Sequence, residues 1–265
     1  MLSLHPIETL LLCRRLLGLS LVISGVEHLR IARLLPTHFP LTATFGAQGR
    51  HGIMRVLTQA FGQRVWMGFM TIQTLLAALL LVTGQGTVLL PLLFLAWLGC
   101  VRFRGTFNGG SDMMTFVVGL PLAVQAVLPE HPAISGLAIA AIATQLLLSY
   151  LLAGVAKLRE PMWRDGSALA ILVNREHYQV PPWFRLFATK PAVSRLLSHA
   201  MLAFECAAPL ALFNRSVCYG YLALAFCFHL GNAVTLGLNR FVWAWLAAFP
   251  CLPALAAMLS TLRPG

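Results

Sequence analysis

Ile134-Ser-Gly-Leu-Ala-Ile-Ala-Ala-Ile-Ala-Thr-Gln-Leu-Leu-Leu-Ser-Tyr150-Leu-Leu-Ala-Gly-Val-Ala156 runs for 23 residues without a charge and then meets Lys157. A helix rises 1.5 Å per residue, so a run of this length crosses the roughly 30 Å hydrocarbon core of a bilayer. Seven further apolar runs surround it, at Thr9–Val26, Val65–Thr83, Val88–Val101, Met113–Leu128, Ser198–Phe213, Val217–Leu238 and Phe241–Leu259. The third, fourth and sixth of the eight are short for a full crossing and are expected to tilt, break or re-enter. The whole chain of 265 residues is 58% hydrophobic and 10% charged, with a mean hydropathy of +0.79. Soluble domains are about 45–50% apolar and about 25% charged, which excludes that class. No polar low-complexity tract, glycine period or dense cysteine framework suggests disorder, collagen or a disulfide scaffold. The expected fold is all-α and polytopic: a helical bundle of about eight spans, with seven to nine permitted. One transmembrane domain is expected over residues 1–265, with no separate soluble domain and with a first span that is retained rather than cleaved.

The few charges are unevenly spread. Nineteen Lys and Arg stand against eight Asp and Glu, giving a formal +11, and all but two of the cations are arginine. With eight spans, 15 of the 19 fall in the connections after spans one, three, five and seven. Anionic headgroups are the expected partner there, and no nucleic-acid motif accompanies the charge. Taken literally, the positive-inside rule puts those four connections in the cytoplasm. Residues 30–64 and 157–197 are too long to be turns, and the second mixes Trp, Arg, Pro and acids. Such a stretch is either functional or an amphipathic surface segment. The six cysteines lie within or beside apolar runs without metal-ligand spacing, and read as small buried hydrophobes.

Ionisable groups within apolar runs cost at least about 2.5–3.5 kcal/mol on insertion scales, so each needs a partner or a task. Lys157 closes the opening stretch and shares a helix face with Tyr150; Ala153 and Gly154 between them leave room for a ligand or a neighbouring backbone. It is either a lysine snorkelling to the interface or a buried amine able to act as a base. Glu205 sits inside the sixth run, where Pro209 frees its carbonyl, and must point inward. Pro121 does the same to the carbonyl of Val117. His229 and Asn232, three apart, present a polar patch at mid-depth. Arg102, Arg104, Asn108, Ser111 and Asp112 gather around a glycine pair, either as a capped turn or as a ligand mouth. No second ligand lies at metal spacing from His229, and no metal is expected.

Four segments carry a family resemblance: Asn108-Gly-Gly-Ser-Asp112, Tyr150-Leu-Leu-Ala-Gly-Val-Ala-Lys157-Leu with Trp163 and Gly166, Glu205 with Pro209, and His229-Leu-Gly-Asn232 with the later Phe249-Pro250. In order and spacing they resemble the HTTM family, the multispan domain typified by vitamin K-dependent gamma-carboxylase, from about residue 14 to about residue 252. The resemblance implies that Lys157 matches the lysine regarded as the base that deprotonates a reduced quinone. It also marks departures. The lysine preceding that base is Ala156 here, and a histidine of the carboxylase is replaced by Gly110, which bears on quinone oxygenation. The carboxylase has a large C-terminal region that recognises its substrate protein. Carboxylation of a docked protein would here require a separate substrate peptide or soluble partner domain. The resemblance places the site-flanking connections outside, opposite to the arginine count.

The functional expectation is therefore a membrane-embedded modifying enzyme, a carboxylase-like lyase or quinol-dependent oxidoreductase. In it Lys157 is the base, Glu205 holds or relays a proton, and His229 completes the catalytic group. Tyr150, Trp163, Asn232, Asn108, Asp112, Arg102 and Arg104 bind substrate or quinone. The alternative is a non-catalytic lipid- or quinone-binding accessory or maturation factor. A transporter ranks third, since no inverted repeat is visible. The expected location is a bacterial inner membrane, crossed many times.

Overall fold

The computed structural model describes residues 5–34, 63–103, 109–175, 178 and 180–261. Among them no strand occurs, and the helices are α1 (Pro6–Leu34), α2 (Gln63–Thr83), α3 (Leu89–Phe103), α4 (Gly109–Val127), α5 (Pro132–Arg159), α6 (Pro161–Arg164), α7 (Ala168–Val173), α8 (Pro182–Ala188), α9 (Pro191–Cys206), α10 (Arg215–Leu236), α11 (Asn239–Leu246) and α12 (Cys251–Thr261). Short 3₁₀ turns at Gly86–Val88 and Ala208–Leu212 precede α3 and follow α9. Six segments are long and apolar enough to cross a membrane: α1, α2, α4, α5, α10 and the pair α11–α12, while Gly86–Gly99 is a shorter apolar helix. The protein is an all-α, multi-pass integral membrane protein.

The centre of the bundle is α5. Ile139, Ile142, Ala143, Leu146 and Tyr150 recur at helical spacing and are buried, so this helix packs against α4, α9 and α12 and also reaches α1. Its lack of charge, together with burial on several sides, is what a core helix of a membrane bundle requires. The neighbouring α1 lies along α2 and touches α4, α11 and α12. Cys13 of α1 and Cys251 of α12 bring their sulfurs to 3.4 Å. Cys218 is also buried, whereas Cys227, expected to be buried, is exposed on α10.

Three boundaries differ from the sequence expectation, each for a local reason. α1 runs past Val26 to Leu34, so Glu27 and His28 are helical and His28 is buried. The polar partners of Glu27, which are Asn239 and Arg240, come from the distant α11. The expected sixth span, Ser198–Phe213, is instead α9 followed by a 3₁₀ turn: the helix ends at Cys206, before Pro209, which has no N–H to continue it. The last span is interrupted at Ala247–Pro250, where turns replace helix between α11 and α12. Pro121 does lie inside α4, as expected. At the end of the bundle where α1 begins, Arg14 bonds the side chain of Gln125 and, at 3.3 Å, the carbonyl of Gly84. Arg14 is thus a paired cation within α1 and no marker of where the span starts.

Candidate functional site

α5 and the end of α9 meet at Gly154. A Cβ at this position would lie 2.9 Å from the backbone nitrogen of Cys206 and 3.0 Å from Cβ of Glu205, so only hydrogen lets the two helices come this close. The room expected beside Lys157 is thus filled on the Gly154 side by a neighbouring backbone. Three residues on, Lys157 Nζ donates to both oxygens of Glu205 at 2.5 Å. The Glu205 side chain is 4% exposed and that of Lys157 23% exposed, and the ammonium lies 5.2 Å from the centre of the Trp163 ring. Lys157 therefore turns inward to a carboxylate and an aromatic face and does not snorkel.

Two turns earlier on the same face, Tyr150 Oη lies 2.8 Å from His229 Nε2. Around this pair stand Phe204, Tyr221, Phe241 and Trp245, with Phe241 and Trp245 stacked at 4.8 Å. Trp245 Nε1 donates to Ser149 Oγ at 3.2 Å, fixing the indole against α5. Tyr221, Ala225 and His229 are buried at four-residue intervals on α10. Among the described residues, Tyr221 Oη and His229 Nδ1 are buried without a hydrogen-bond partner. Buried polar atoms are seldom left so, and an unmet pair beside a cavity invites a polar ligand or water.

The cavity is large, about 980 Å³, and is lined by α5, α9 and α10 with Phe241 and Trp245. Ala153, Lys157, Glu205, Tyr150, Trp163, His229 and Asn232 all face it. Leu169, Leu172, Tyr178 and Phe184 cover it from the 157–197 connection, which folds as a compact helical cap. Two buried serines of α9 hold the cap down. Ser194 Oγ donates to the carbonyl of Gly166 at 2.8 Å and accepts from the N–H of Ala170 at 3.1 Å, while Ser198 Oγ accepts from the N–H of Leu169 at 3.1 Å. Gly166 has φ +81°, and a side chain there would strike Cα of Arg195 at 2.7 Å. Nearby, hydrogen bonds from Ser167 hold the exposed Asp165 carboxyl below its usual range.

Residues 126–254 match the family model described as the HTTM domain. Over that stretch the chain is similar to the HTTM domain. The match covers just under half of the 265 residues, and every residue that lines the cavity lies within it. The HTTM match does not extend to Asn108–Asp112, which the sequence resemblance also included. No curated protein and no solved structure matches the chain.

The structure thus gathers Lys157, Glu205, His229, Tyr150, Trp163 and Asn232 around one space. Asp112 lies elsewhere: it pairs with Arg240, which also approaches Glu27 at 4.0 Å. Asn239 Nδ2 donates to Glu27 Oε1 at 2.8 Å. His28, Gln73, Ser24 and Thr115 surround a small void there of about 10 Å³. Arg104 and Asn108 lie outside the described residues, as does the side chain of Arg102. Sequence reasoning missed Tyr221 and Arg240. Tyr221 was legible as the residue two turns ahead of His229 on one face; Arg240 was not, because its acids come from α1 and α4. Among the described residues, no cluster of His, Cys, Asp and Glu is arranged to hold a metal ion.

Proposed function

We propose that the protein is a membrane-embedded enzyme that binds a lipid-soluble phenolic or quinol molecule in the HTTM cavity and uses Lys157 as the base. The observation that carries this reading is the Lys157–Glu205 pair exposed to an aromatic-walled cavity lined by the crossing helices α5 and α10. Ammonium with carboxylate and amine with carboxylic acid have the same net charge. A proton can therefore pass between Nζ and Oε without changing the charge buried; from the amine–acid form, Lys157 takes a proton from the bound hydroxyl while Glu205 releases the one it holds to water, which restores the ion pair.

A reduced quinone fits what the residues offer. The volume of about 980 Å³ suits a ring with an apolar tail, and Tyr221 Oη, His229 Nδ1 and Asn232 stand ready for polar oxygens. When bound, such a group supplies phenolic hydroxyls and a pair of electrons. Tyr150 orients His229 through the 2.8 Å bond, and the stacked Phe241 and Trp245 exclude water from that wall. Access from the bilayer is supported by the rim: Ala200, Ala203, Leu224, Cys227 and Gly231 line the cavity and are exposed. Leu224, Cys227 and Gly231 fall in the middle of α10, away from either end of a crossing helix.

The test is paired. Lipid extracts of purified protein are expected to contain a quinone, and Lys157→Met is expected to remove activity in the biological assay while insertion and thermal unfolding persist. A stable, inserted Lys157→Met protein with undiminished activity would end the base reading. The second reading, a non-catalytic lipid- or quinone-binding accessory protein, is favoured by one feature: both oxygens of Glu205 already hold Lys157, as in a structural ion pair. Retained quinone with an active Lys157→Met variant would select it.

A further inference from the structure

The cap over the cavity has an outer face that its own packing does not use. On α8, Phe184 and Ala188 turn inward to Leu169, Val173 and Val180, joined by Leu197 of α9 and Leu236, the last residue of α10. Three and four residues apart on the opposite side, Trp183, Leu186 and Phe187 are 61%, 72% and 46% exposed. One short helix thus carries two apolar faces.

Its height in the fold is set by its neighbours. α5 ends at Arg159 and α10 at Leu236, and Leu236 packs into the inner cluster of α8. The exposed Trp-Leu-Phe face therefore lies at the level where the crossing helices stop. Beside α8 the chain is basic, although the cap also exposes Glu160 and Asp165, the latter near Arg195. From residue 177 to residue 204 the chain has no acid, and Arg185, Lys190 and Arg195 are all exposed. Aromatic and aliphatic side chains on one face with cations beside them match the boundary between acyl chains and anionic headgroups.

We propose that α8 is an interfacial anchor, with Trp183, Leu186 and Phe187 seated among the upper acyl chains of a bilayer and Arg185 and Lys190 on phosphates of anionic phospholipid. Tyr178 and Phe184 of the same cap line the cavity, so seating α8 fixes the roof of the site to the membrane surface. This docking does not depend on what the cavity binds or whether Lys157 is a base.

The test uses the full chain in nanodiscs of phosphatidylcholine with increasing phosphatidylglycerol, with a fraction of the lipid brominated near the top of the acyl chain. Subtracting the emission of a Trp183→Phe protein isolates Trp183. The expected difference emission is blue-shifted and quenched about twofold, with quenching that grows with the anionic fraction. Arg185→Gln with Lys190→Gln is expected to abolish that growth; the titration of wild-type protein reads the charge dependence even if this variant folds poorly. A difference emission at the wavelength of water-exposed tryptophan, unquenched in every composition, overturns the proposal and gives the face to water or to a protein partner. Quenching that ignores the anionic fraction overturns the phosphate contacts.

Discussion

Two buried ion pairs lie at the same end of this bundle and differ in what surrounds them. Lys157–Glu205 borders a cavity of about 980 Å³, while Arg240 with Asp112 and Glu27 borders a void of about 10 Å³, room for about one water. The chemistry is nearly the same, a cation held by carboxylates within a membrane domain. Space is the difference. A pair beside a large cavity can exchange partners with a ligand, whereas a pair enclosed by Leu21, Ala96 and Phe116 can only hold helices together. The second pair ties Arg240, within the HTTM match, to Glu27 and Asp112, outside it.

The comparison breaks most sharply at Arg240. Arg240→Met leaves the part-buried carboxylates of Asp112 and Glu27 without their cation, and should cost about 2–3 kcal/mol, read as a fall in thermal unfolding temperature in detergent or nanodiscs. Adding Asp112→Leu should restore most of that loss, because the cost lies in the unpaired charge and not in the missing bond. Lys157→Met should cost less stability, about 1–2 kcal/mol, because Glu205 gains access to the cavity. Equal losses at Arg240 and Lys157 would erase the distinction drawn between the two pairs. Tyr150→Phe removes one hydroxyl and should weaken binding of the cavity ligand by about 0.5–1.5 kcal/mol with little change in unfolding, measurable by quinone titration. The smallest effect is expected at Ser194→Ala, about 0.5 kcal/mol, seen as faster hydrogen exchange confined to the N-terminal turn of α7.

The cavity group was more legible in the sequence than the lock. An uncharged run of bundle length that ends in Lys157, an acid inside an apolar run at Glu205, and His229 with Asn232 three residues on each violate the local rule for lipid-facing residues. Such violations show without knowledge of the fold. The lock breaks no local rule. Glu27 follows an apolar run and reads as its polar exit, and Asp112 reads as a helix cap; only the approach of α11 reveals them as partners of Arg240. The compact cap formed by residues 160–190 was hidden for a related reason, since its order rests on Ser194 and Ser198 of the following helix. The sixth apolar run does break, as its short length and Pro209 led one to expect, because hydropathy passes through Pro209 while the helix does not.

The meeting of Cys13 with Cys251 also has a meaning for how the molecule is made. Their contact joins residues 238 positions apart, and α1 packs on α11 and α12 as well as on α2. At roughly 5–20 residues per second, the ribosome delivers the last helix tens of seconds after the first has entered the bilayer. Through that interval the faces of Leu10, Cys13 and Leu17 that end in the core have only lipid, α2 and the intermediate spans for company. Biogenesis of this bundle is a ring closed late. A ribosome stalled before Cys251 would leave an inserted but unsealed chain, a natural substrate for membrane quality control.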